Sequence, residues 1–218
     1  MEIIKAEKGY LTILTGKTDM GKSTITVYEC GENLRAGEKV IFFSYEYVQS
    51  IIYNKLISHF KVGWSQLLNL NIVDASGLSL DRVVSFIRAK KGKVNAVYID
   101  YLDLLKQATY GKPKDDKESL EQTQEIVRTL ASLALELNIV IVLLSQTGAS
   151  SDFEKSVERL NLFTEKVSAK NTIKMFMGKG NIIDSRIDYN DIIHVILVDG
   201  YNLKHFSSIN IKEIYGDK

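Results

Sequence analysis

The chain has 218 residues, 45% of them hydrophobic and 25% charged, which is enough for one well-packed domain. Its net charge of +1 excludes a general electrostatic attraction to nucleic acid or membranes, so any polyanion contact must come from a local patch. The only cysteine, Cys30, and the only tryptophan, Trp64, are expected to be an ordinary helix residue and a core anchor. The sequence has no signal-peptide core and no apolar run that could span a bilayer. We therefore expect a single cytoplasmic domain over residues 1–218, with no membrane partner.

Short apolar runs rich in β-branched residues alternate with segments of helical period, which predicts βαβ units and a mainly parallel α/β sheet. The predicted strands are Tyr10–Thr15, Lys39–Ser44, Asn71–Asp74, Ala96–Asp100, Val140–Ser145, Ile192–Val198 and Ser208–Ile214. The predicted helices are Lys22–Arg35, Val48–Phe60, Leu80–Lys90 and Ser119–Leu137. Two polar segments, Lys106–Glu118 and Thr147–Gly180, are interpreted as loops at the carboxyl ends of strands, where open α/β sheets bind ligands.

The first predicted strand leads into a sequence that fits the phosphate-loop pattern G-x-x-x-x-G-K-[ST] at every fixed position. Gly16 and Gly21 allow a tight turn whose N–H groups point at phosphate oxygens. Lys22 is predicted to contact the β- and γ-phosphates, and the Ser23 hydroxyl is predicted to bind Mg²⁺. The predicted nucleotide-binding residues are Gly16, Lys17, Thr18, Asp19, Met20, Gly21, Lys22, Ser23 and Thr24. A glycine turn formed by chance is the alternative, and the flanking strand and helix argue against it.

Three other predicted strands end in polar side chains that suit such a site. Asp100 ends an apolar strand, where phosphate-loop enzymes place the carboxylate that holds Mg²⁺ through its water shell, although an isolated Asp is often a turn residue. Glu46 follows the second strand and is a candidate general base for the attacking water, with an ordinary surface glutamate as the alternative. Gln146 ends a further strand, where its amide is predicted to sense the γ-phosphate.

Together these segments resemble the RecA-like motor domain of DnaB-type replicative helicases. The matching stretches are 16–24, Phe43-Ser44-Tyr45-Glu46, Ile99-Asp100-Tyr101-Leu102-Asp103-Leu104-Leu105 and Leu144-Ser145-Gln146, in the family's order. The resemblance implies a RecA-like P-loop NTPase fold, with a mainly parallel twisted sheet flanked by helices and antiparallel C-terminal strands. It also implies ATP and Mg²⁺ as cofactors, homo-hexameric rings and single-stranded DNA in a central channel. Carried onto this chain, it assigns catalytic roles to Lys22, Glu46 and Gln146, and metal binding to Ser23 and Asp100.

Two features depart from the family's pattern. The family's motor follows a primase-interacting domain and a linker helix, whereas the first strand is predicted here to begin at Tyr10. In the family a C-terminal strand presents a Lys and, two residues on, an Arg to the neighbouring subunit's nucleotide. Lys212 matches the first position and Ile214 replaces the arginine. Arg186 is a possible substitute for this finger, with a solvated surface arginine as the alternative.

Two groups of lysines are candidates for contacting single-stranded DNA. Lys106, Lys112 and Lys114 punctuate the earlier polar segment. Lys170, Lys174 and Lys179 form an acid-free run in the later one, with Phe176 among them. Such residues can contact phosphates while an aromatic ring stacks on a base. An ordinary solvated loop is an equally good interpretation of the later segment.

Three functions are compatible with these residues. The first is an ATP-driven helicase or translocase acting on single-stranded DNA in replication. The second is a nucleotide-gated, DnaB-like adaptor that binds other replication or recombination proteins without unwinding DNA itself, which the predicted start of the first strand and Ile214 favour. The third is a small-molecule kinase, for which Glu46 and Gln146 are less suitable because they fit water activation and sensing.

Overall fold

A computed structural model describes residues 6–16, 22–146, 172–177, 182–187, 192–199 and 202–210, with side chains over 6–14 and 22–146. The strands are β1 (Leu11–Gly16), β2 (Val40–Ser44), β3 (Leu70–Asp74), β4 (Ala96–Asp100), β5 (Val140–Gln146), β6 (Thr172–Met177), β7 (Ile182–Ile187), β8 (Ile192–Asp199) and β9 (Asn202–Asn210). The helices are α1 (Lys22–Arg35), α2 (Gln49–Asn54), α3 (Trp64–Leu67), α4 (Leu80–Arg88), α5 (Leu102–Tyr110) and α6 (Asp116–Leu137). A π-helical turn, Lys55–His59, continues α2.

The described strands form one sheet in the order β3-β2-β4-β5-β1-β6-β7-β8-β9. All pairs from β3 across to β6 are parallel. The pairs β6–β7, β7–β8 and β8–β9 are antiparallel. Parallel neighbours need crossover connections, which the helices between β1 and β5 provide. The predicted mainly parallel α/β sheet flanked by helices is therefore confirmed.

Strand residues alternate between two apolar clusters, one on each face of the sheet. Leu14 and Phe42 pack on the side of α1, where Cys30 is fully buried. Ile13 and Phe43, their neighbours in sequence, pack on the side of α4, α5 and α6. Successive side chains of a strand point to opposite faces, so a sheet covered on both faces requires continuous apolar runs. This explains why the parallel strands β1 to β5 were predictable from hydrophobicity.

Helix α6 begins at Asp116, three residues before its predicted start at Ser119. The Asp115 carboxylate accepts a hydrogen bond of 2.8 Å from the Glu118 N–H, and the Glu118 carboxylate accepts one of 2.6 Å from the Lys114 N–H. This exchange satisfies backbone donors that the first helical turn leaves without partners. The capping signal, Asp115 followed three residues later by Glu118, was present in the sequence.

Three other predicted boundaries were wrong. The segment Lys106–Glu118 is not one loop, because α5 extends to Tyr110 and buries Leu105 against the second apolar cluster. The segment Thr147–Gly180 contains β6, which extends the sheet beyond β1. The last described strand begins at Asn202 instead of Ser208, because it pairs with β8 from Asn202 onward, and residues 211–214 of the predicted strand lie outside the described residues.

Trp64 is not a core anchor. It begins α3 with 76% of its surface exposed, and Leu68, just after α3, is 87% exposed. Leu67 is the member of this short helix that is buried. In the described ranges, no helix is both long and apolar enough to cross a bilayer.

Candidate nucleotide site

The carboxyl ends of four parallel strands meet at one edge of the sheet. Ser44 at the end of β2 lies beside Asp100 at the end of β4, and Gly16 at the end of β1 lies beside Gln146 at the end of β5. Helix α1 begins at Lys22, shortly after β1. The register therefore aligns the strand ends that the sequence singled out, at the edge where open α/β sheets bind ligands.

Asp100 lies at the centre of this edge with only 2% of its surface exposed. Burial raises the pKa of its carboxyl group from 3.8 to about 6. The Ser23 hydroxyl donates a hydrogen bond to this carboxylate, and the charges of Lys22 and Lys55 also favour its ionised form, whereas Glu46 opposes it. Lys22 and Ser23 are adjacent in α1, whereas Glu46, Lys55 and Asp100 lie far from them in the sequence, so folding has brought these residues within electrostatic reach of one another.

Ser23 and Asp100 fit a Mg²⁺ site by their chemistry. Asp100 Oδ2 is buried and has no hydrogen-bond partner among the described residues. A buried carboxylate oxygen without a partner is costly, and a cation or its bound water would satisfy it. Hydroxyl and carboxylate oxygens are the ligands that Mg²⁺ prefers. Lys22, which is 6% exposed, begins α1 beside them.

Glu46 lies on an exposed turn that is fixed from both sides. The Ser44 hydroxyl donates to the Tyr47 carbonyl at 2.6 Å and accepts from the Tyr47 N–H at 3.0 Å. The Tyr45 N–H donates to the Asp100 carbonyl at 2.8 Å, which joins the turn to the end of β4. The Glu46 side chain is itself exposed and therefore open to solvent and to a bound nucleotide.

Lys55 is a site residue that sequence reasoning missed. It begins the π-helical turn after α2, and its ammonium nitrogen lies 4.6 Å from the centroid of the Tyr47 ring. Burial lowers the pKa of Lys55, while Asp100 and then Glu46 act in the opposite direction. The side chain therefore brings a cation to the two carboxylates. No motif marked it, because its position depends on the π-helical turn, a geometry often found at functional sites.

Gln146 is held through its backbone by a residue that was quoted only as part of the family motif. The Asp103 carboxylate, in the first turn of α5, accepts a hydrogen bond from the Gln146 N–H. Asp103 also forms an ion pair with Lys106, in which Lys106 Nζ lies 3.6 Å from Asp103 Oδ1. This contact places α5 directly against the carboxyl end of β5.

The other predicted nucleotide and finger residues are less completely described. Thr24 lies partly buried in α1, whereas residues 17–21 and Lys212 lie outside the described residues. Arg186 lies in β7, where the backbone alone is described. The trans-acting role predicted for Lys212 or Arg186 therefore stays a prediction.

The candidate DNA-binding lysines separate into three groups. Lys112 and Lys114 are exposed between α5 and α6. Lys174 lies in β6, paired with Thr15 of β1, instead of in a loop, and Lys170 and Lys179 lie outside the described residues. Lys106 lies in α5 and its ammonium contacts Asp103, so it does not belong with the exposed lysines.

The strand order and the polar cluster at the sheet edge agree with the RecA-like fold that the motifs imply. Comparison with protein-family models matches residues 62–159 to the DnaB-like helicase C terminal domain. This match begins after Lys22 and Glu46, so it is independent of the phosphate loop. It agrees with the resemblance drawn from the motifs. A comparison with characterised protein sequences gave no significant match.

Solved structures with this fold include a DnaB-like replicative helicase, described with its interactions with primase, at 18% identity and a TM-score of 0.61. The alignment covers 94% of this chain and 55% of the helicase, so the chain spans little more than half of that protein's length. A second solved structure, described as an ATPase domain, aligns at 19% identity and a TM-score of 0.58, covering 97% of this chain and 84% of that one. The RadB recombinase aligns at 15% identity and a TM-score of 0.64, covering 93% of each chain. The chain thus has the RecA-like fold of DnaB-type ATPase domains, as the motifs predicted.

Proposed function

We propose that the chain is an ATP-hydrolysing motor domain, similar to those of DnaB-type helicases, that acts on single-stranded DNA with Mg²⁺ as its metal. The observation that carries the proposal is the electrostatic cluster around the buried Asp100. Lys22, Ser23 and Glu46 all interact with that carboxylate. Lys22 begins α1 and Asp100 ends β4, so the two residues are far apart in the sequence. A phosphate-loop lysine, a metal-side acid and a candidate base at one sheet edge are the parts that ATP hydrolysis requires.

Each residue of the cluster has a role in this mechanism. Lys22 binds the β- and γ-phosphates, and Ser23 and Asp100 hold the metal and its water shell. The chemistry that Mg²⁺ supplies when bound is neutralisation of charge on the phosphate oxygens. Glu46 accepts a proton from the attacking water, and its exposed turn leaves room for that water beside the nucleotide.

Two further residues complete the proposed site. Lys55 adds a positive charge next to Glu46 and Asp100, and this charge favours the ionised form of Asp100. Gln146 reports the presence of the γ-phosphate from the end of β5. These roles are electrostatic, in agreement with the limited covalent chemistry that phosphoryl transfer asks of a protein.

The proposed nucleic-acid partner is single-stranded DNA, contacted by Lys112 and Lys114 and by the run that contains Lys174. Lys112 and Lys114 are exposed, as a phosphate contact requires. Assembly into a homo-hexamer, or with other replication proteins, belongs to the same proposal. A finger from a neighbouring subunit, Lys212 or Arg186, would then act on the nucleotide of this one.

The test is the ATPase rate with and without single-stranded DNA, measured for the natural chain and for Lys22→Ala. We expect turnover that DNA stimulates, and loss of turnover in Lys22→Ala because the charge-assisted contact to the phosphates is removed. Lys39→Ala is the matched control, since the exposed Lys39 precedes β2 at the opposite edge of the sheet. Slow turnover that DNA leaves unchanged would favour the adaptor function, and hydrolysis retained in Lys22→Ala would refute the site.

A further inference from the structure

Lys106 joins two helices through a polar cluster that the proposed mechanism leaves unused. Its ammonium lies 3.0 Å from Ser119 Oγ and 3.4 Å from Thr123 Oγ1, both on α6, and 3.6 Å from Asp103 Oδ1 on its own helix, α5. The Lys106 side chain is only 13% exposed. An ammonium has three donors, so the two hydroxyls and the carboxylate can engage all of them. A partly buried ammonium without such partners would be costly, so these three contacts stabilise this position of the Lys106 side chain.

Asp103 extends the cluster to the nucleotide site. Pairing between β4 and β5 ends with Ile99 and Leu143, yet β5 continues for three more residues to Gln146. Beyond the last pair, the Asp103 carboxylate accepts the Gln146 N–H, and so takes the place of a strand partner. Asp103 also accepts its own backbone N–H at the start of α5, where a helix favours negative charge.

The two contacts form a continuous path from the nucleotide site to α6. Gln146 binds Asp103, Asp103 pairs with Lys106, and Lys106 binds the hydroxyls of Ser119 and Thr123. The Thr123 hydroxyl in turn donates to the Ser119 carbonyl at 2.9 Å, which fixes the Thr123 hydroxyl near the start of α6. Those turns follow directly on the exposed segment that contains Lys112 and Lys114.

We infer that Asp103 and Lys106 are positioning residues that hold the carboxyl end of β5, and with it the Gln146 side chain, at a fixed place relative to α6. The inference rests on the proposed ATPase function. It goes further because it names the residues, Asp103 and Lys106, that hold Gln146 in place. The same two residues connect Gln146 to α6 and so to the segment that precedes this helix. Neither residue belongs to the nucleotide-binding set of the proposed function, and Asp103 contacts the Gln146 backbone, so both are assigned an action through Gln146.

A double-mutant cycle tests this link directly. Turnover of Mg-ATP is measured for Asp103→Ala, Gln146→Ala and the double variant, each at saturating DNA. Asp103→Ala is expected to lower kcat by roughly tenfold, the scale of one lost hydrogen bond to a charged group, with KM changed less than about threefold. The double variant is expected to match Gln146→Ala, because a residue that acts only through Gln146 has nothing left to position.

Amide hydrogen exchange supplies a readout independent of activity. Exchange of the segment containing Gln146 is expected to accelerate at least about tenfold in Asp103→Ala, since its N–H loses its acceptor. If Asp103→Ala unfolds, Lys106→Met is used in the same double-mutant cycle: it removes the ion pair that holds the Asp103 carboxylate, so kcat is expected to fall in the natural background and to stay unchanged in the Gln146→Ala background. Lys117→Met is the matched control: this lysine is also near the start of α6, but its side chain is 85% exposed.

The outcomes distinguish a failure of the positioning role from a failure of the proposed ATPase function. Losses in kcat that add in the double variant, or unchanged exchange at Gln146, would overturn the positioning role while leaving the ATPase intact. A Gln146→Ala variant with normal kcat would overturn it too, because there would be no sensor to hold. No hydrolysis by the natural chain would refute the proposed function itself.

Discussion

The buried carboxylate of Asp100 is expected to destabilise the folded protein when it is ionised and no cation is bound to it. Its Oδ2 atom has no partner among the described residues and its side chain is almost fully enclosed, so the ionised form is disfavoured and the pKa rises to about 6. Above that pH the folded protein must hold a charge in an incompletely paired place. A bound cation would remove this penalty, so stability and metal binding are expected to be coupled at this residue.

The first prediction follows from the sign of that shift. A carboxyl group whose pKa is higher in the folded than in the unfolded chain stabilises the fold at pH below 3.8, and this stabilisation is lost as the pH rises through about 6. A rise from 3.8 to about 6 corresponds to about 3 kcal/mol. In EDTA and without nucleotide, the free energy of unfolding of Asp100→Asn relative to the natural chain should therefore increase across that range.

Urea unfolding at several pH values, from about 3.5 to about 8, measures this difference. A difference that stays constant with pH would contradict the raised pKa. With Mg-ATP present, the order should reverse at neutral pH, because the natural carboxylate gains a metal that the amide binds poorly.

The second prediction concerns Glu46. Glu46→Gln keeps the shape of the side chain and removes its ability to accept a proton, so ATP affinity should stay within a few-fold while hydrolysis falls by roughly 10²–10⁴. Equilibrium binding of ATP and single-turnover hydrolysis measure the two quantities separately. Parallel loss of affinity and rate would mean that Glu46 supports the turn instead of the chemistry.

At the scale of elements, the π-helical turn after α2 is what brings a cation to the site. Lys55 at its start packs its ammonium over Tyr47, and Tyr47 is held by hydrogen bonds to Ser44 at the end of β2. The turn that presents Glu46 and the helix that presents Lys55 thus support each other. Neither helical periodicity nor a motif encodes that contact.

The third prediction is that Lys55→Met lowers kcat by roughly 10–100-fold, because the site loses a fixed positive charge near the reacting phosphate. Lys90→Met is the matched control, since the Lys90 ammonium also lies over an aromatic ring, 5.9 Å from the Phe86 centroid, but just after α4 instead of beside Asp100. Steady-state hydrolysis of both variants decides the matter. Equal rates for the two variants would show that Lys55 only packs.

At the scale of the whole molecule, the parallel half of the sheet supports the nucleotide site, and the polar segments that follow its strand ends carry the candidate DNA contacts. The two functions are therefore expected to be separable by mutation. The parallel pairing of β6 with β1 places the carboxyl end of β6 at the same edge of the sheet as the site.

The fourth prediction tests that separation. Replacing Lys170, Lys174 and Lys179 with Ala should weaken single-stranded DNA binding and reduce the slope of log K against log salt by about 0.7 for each lost phosphate contact. ATP hydrolysis without DNA should be unchanged. Filter binding at several salt concentrations measures the slope, and an unaltered slope with normal affinity would move the preference to the adaptor function.

The sequence by itself determined the parallel sheet and the identity of its polar strand ends. Phe42 and Phe43, like Ile13 and Leu14, are adjacent apolar residues that must both be buried, and only a sheet covered on two faces allows this. The phosphate-loop spacing and the acid after β4 are local patterns that can be read without the fold. This is why Lys22, Glu46, Asp100 and Gln146 were all selected in advance as candidates.

Tertiary structure decided which distant residues surround those candidates. Lys55 reaches Glu46 and Asp100, and Lys106 is a partly buried link between α5 and α6 instead of a DNA contact. Both placements depend on how the helices pack on the sheet. Trp64 was misplaced for the same reason: hydrophobicity predicts that a tryptophan is buried, but the packing of α3 buries Leu67 and leaves Trp64 outside. Periodicity along the chain specifies which residues share a face, whereas contacts between elements arise only when the faces meet.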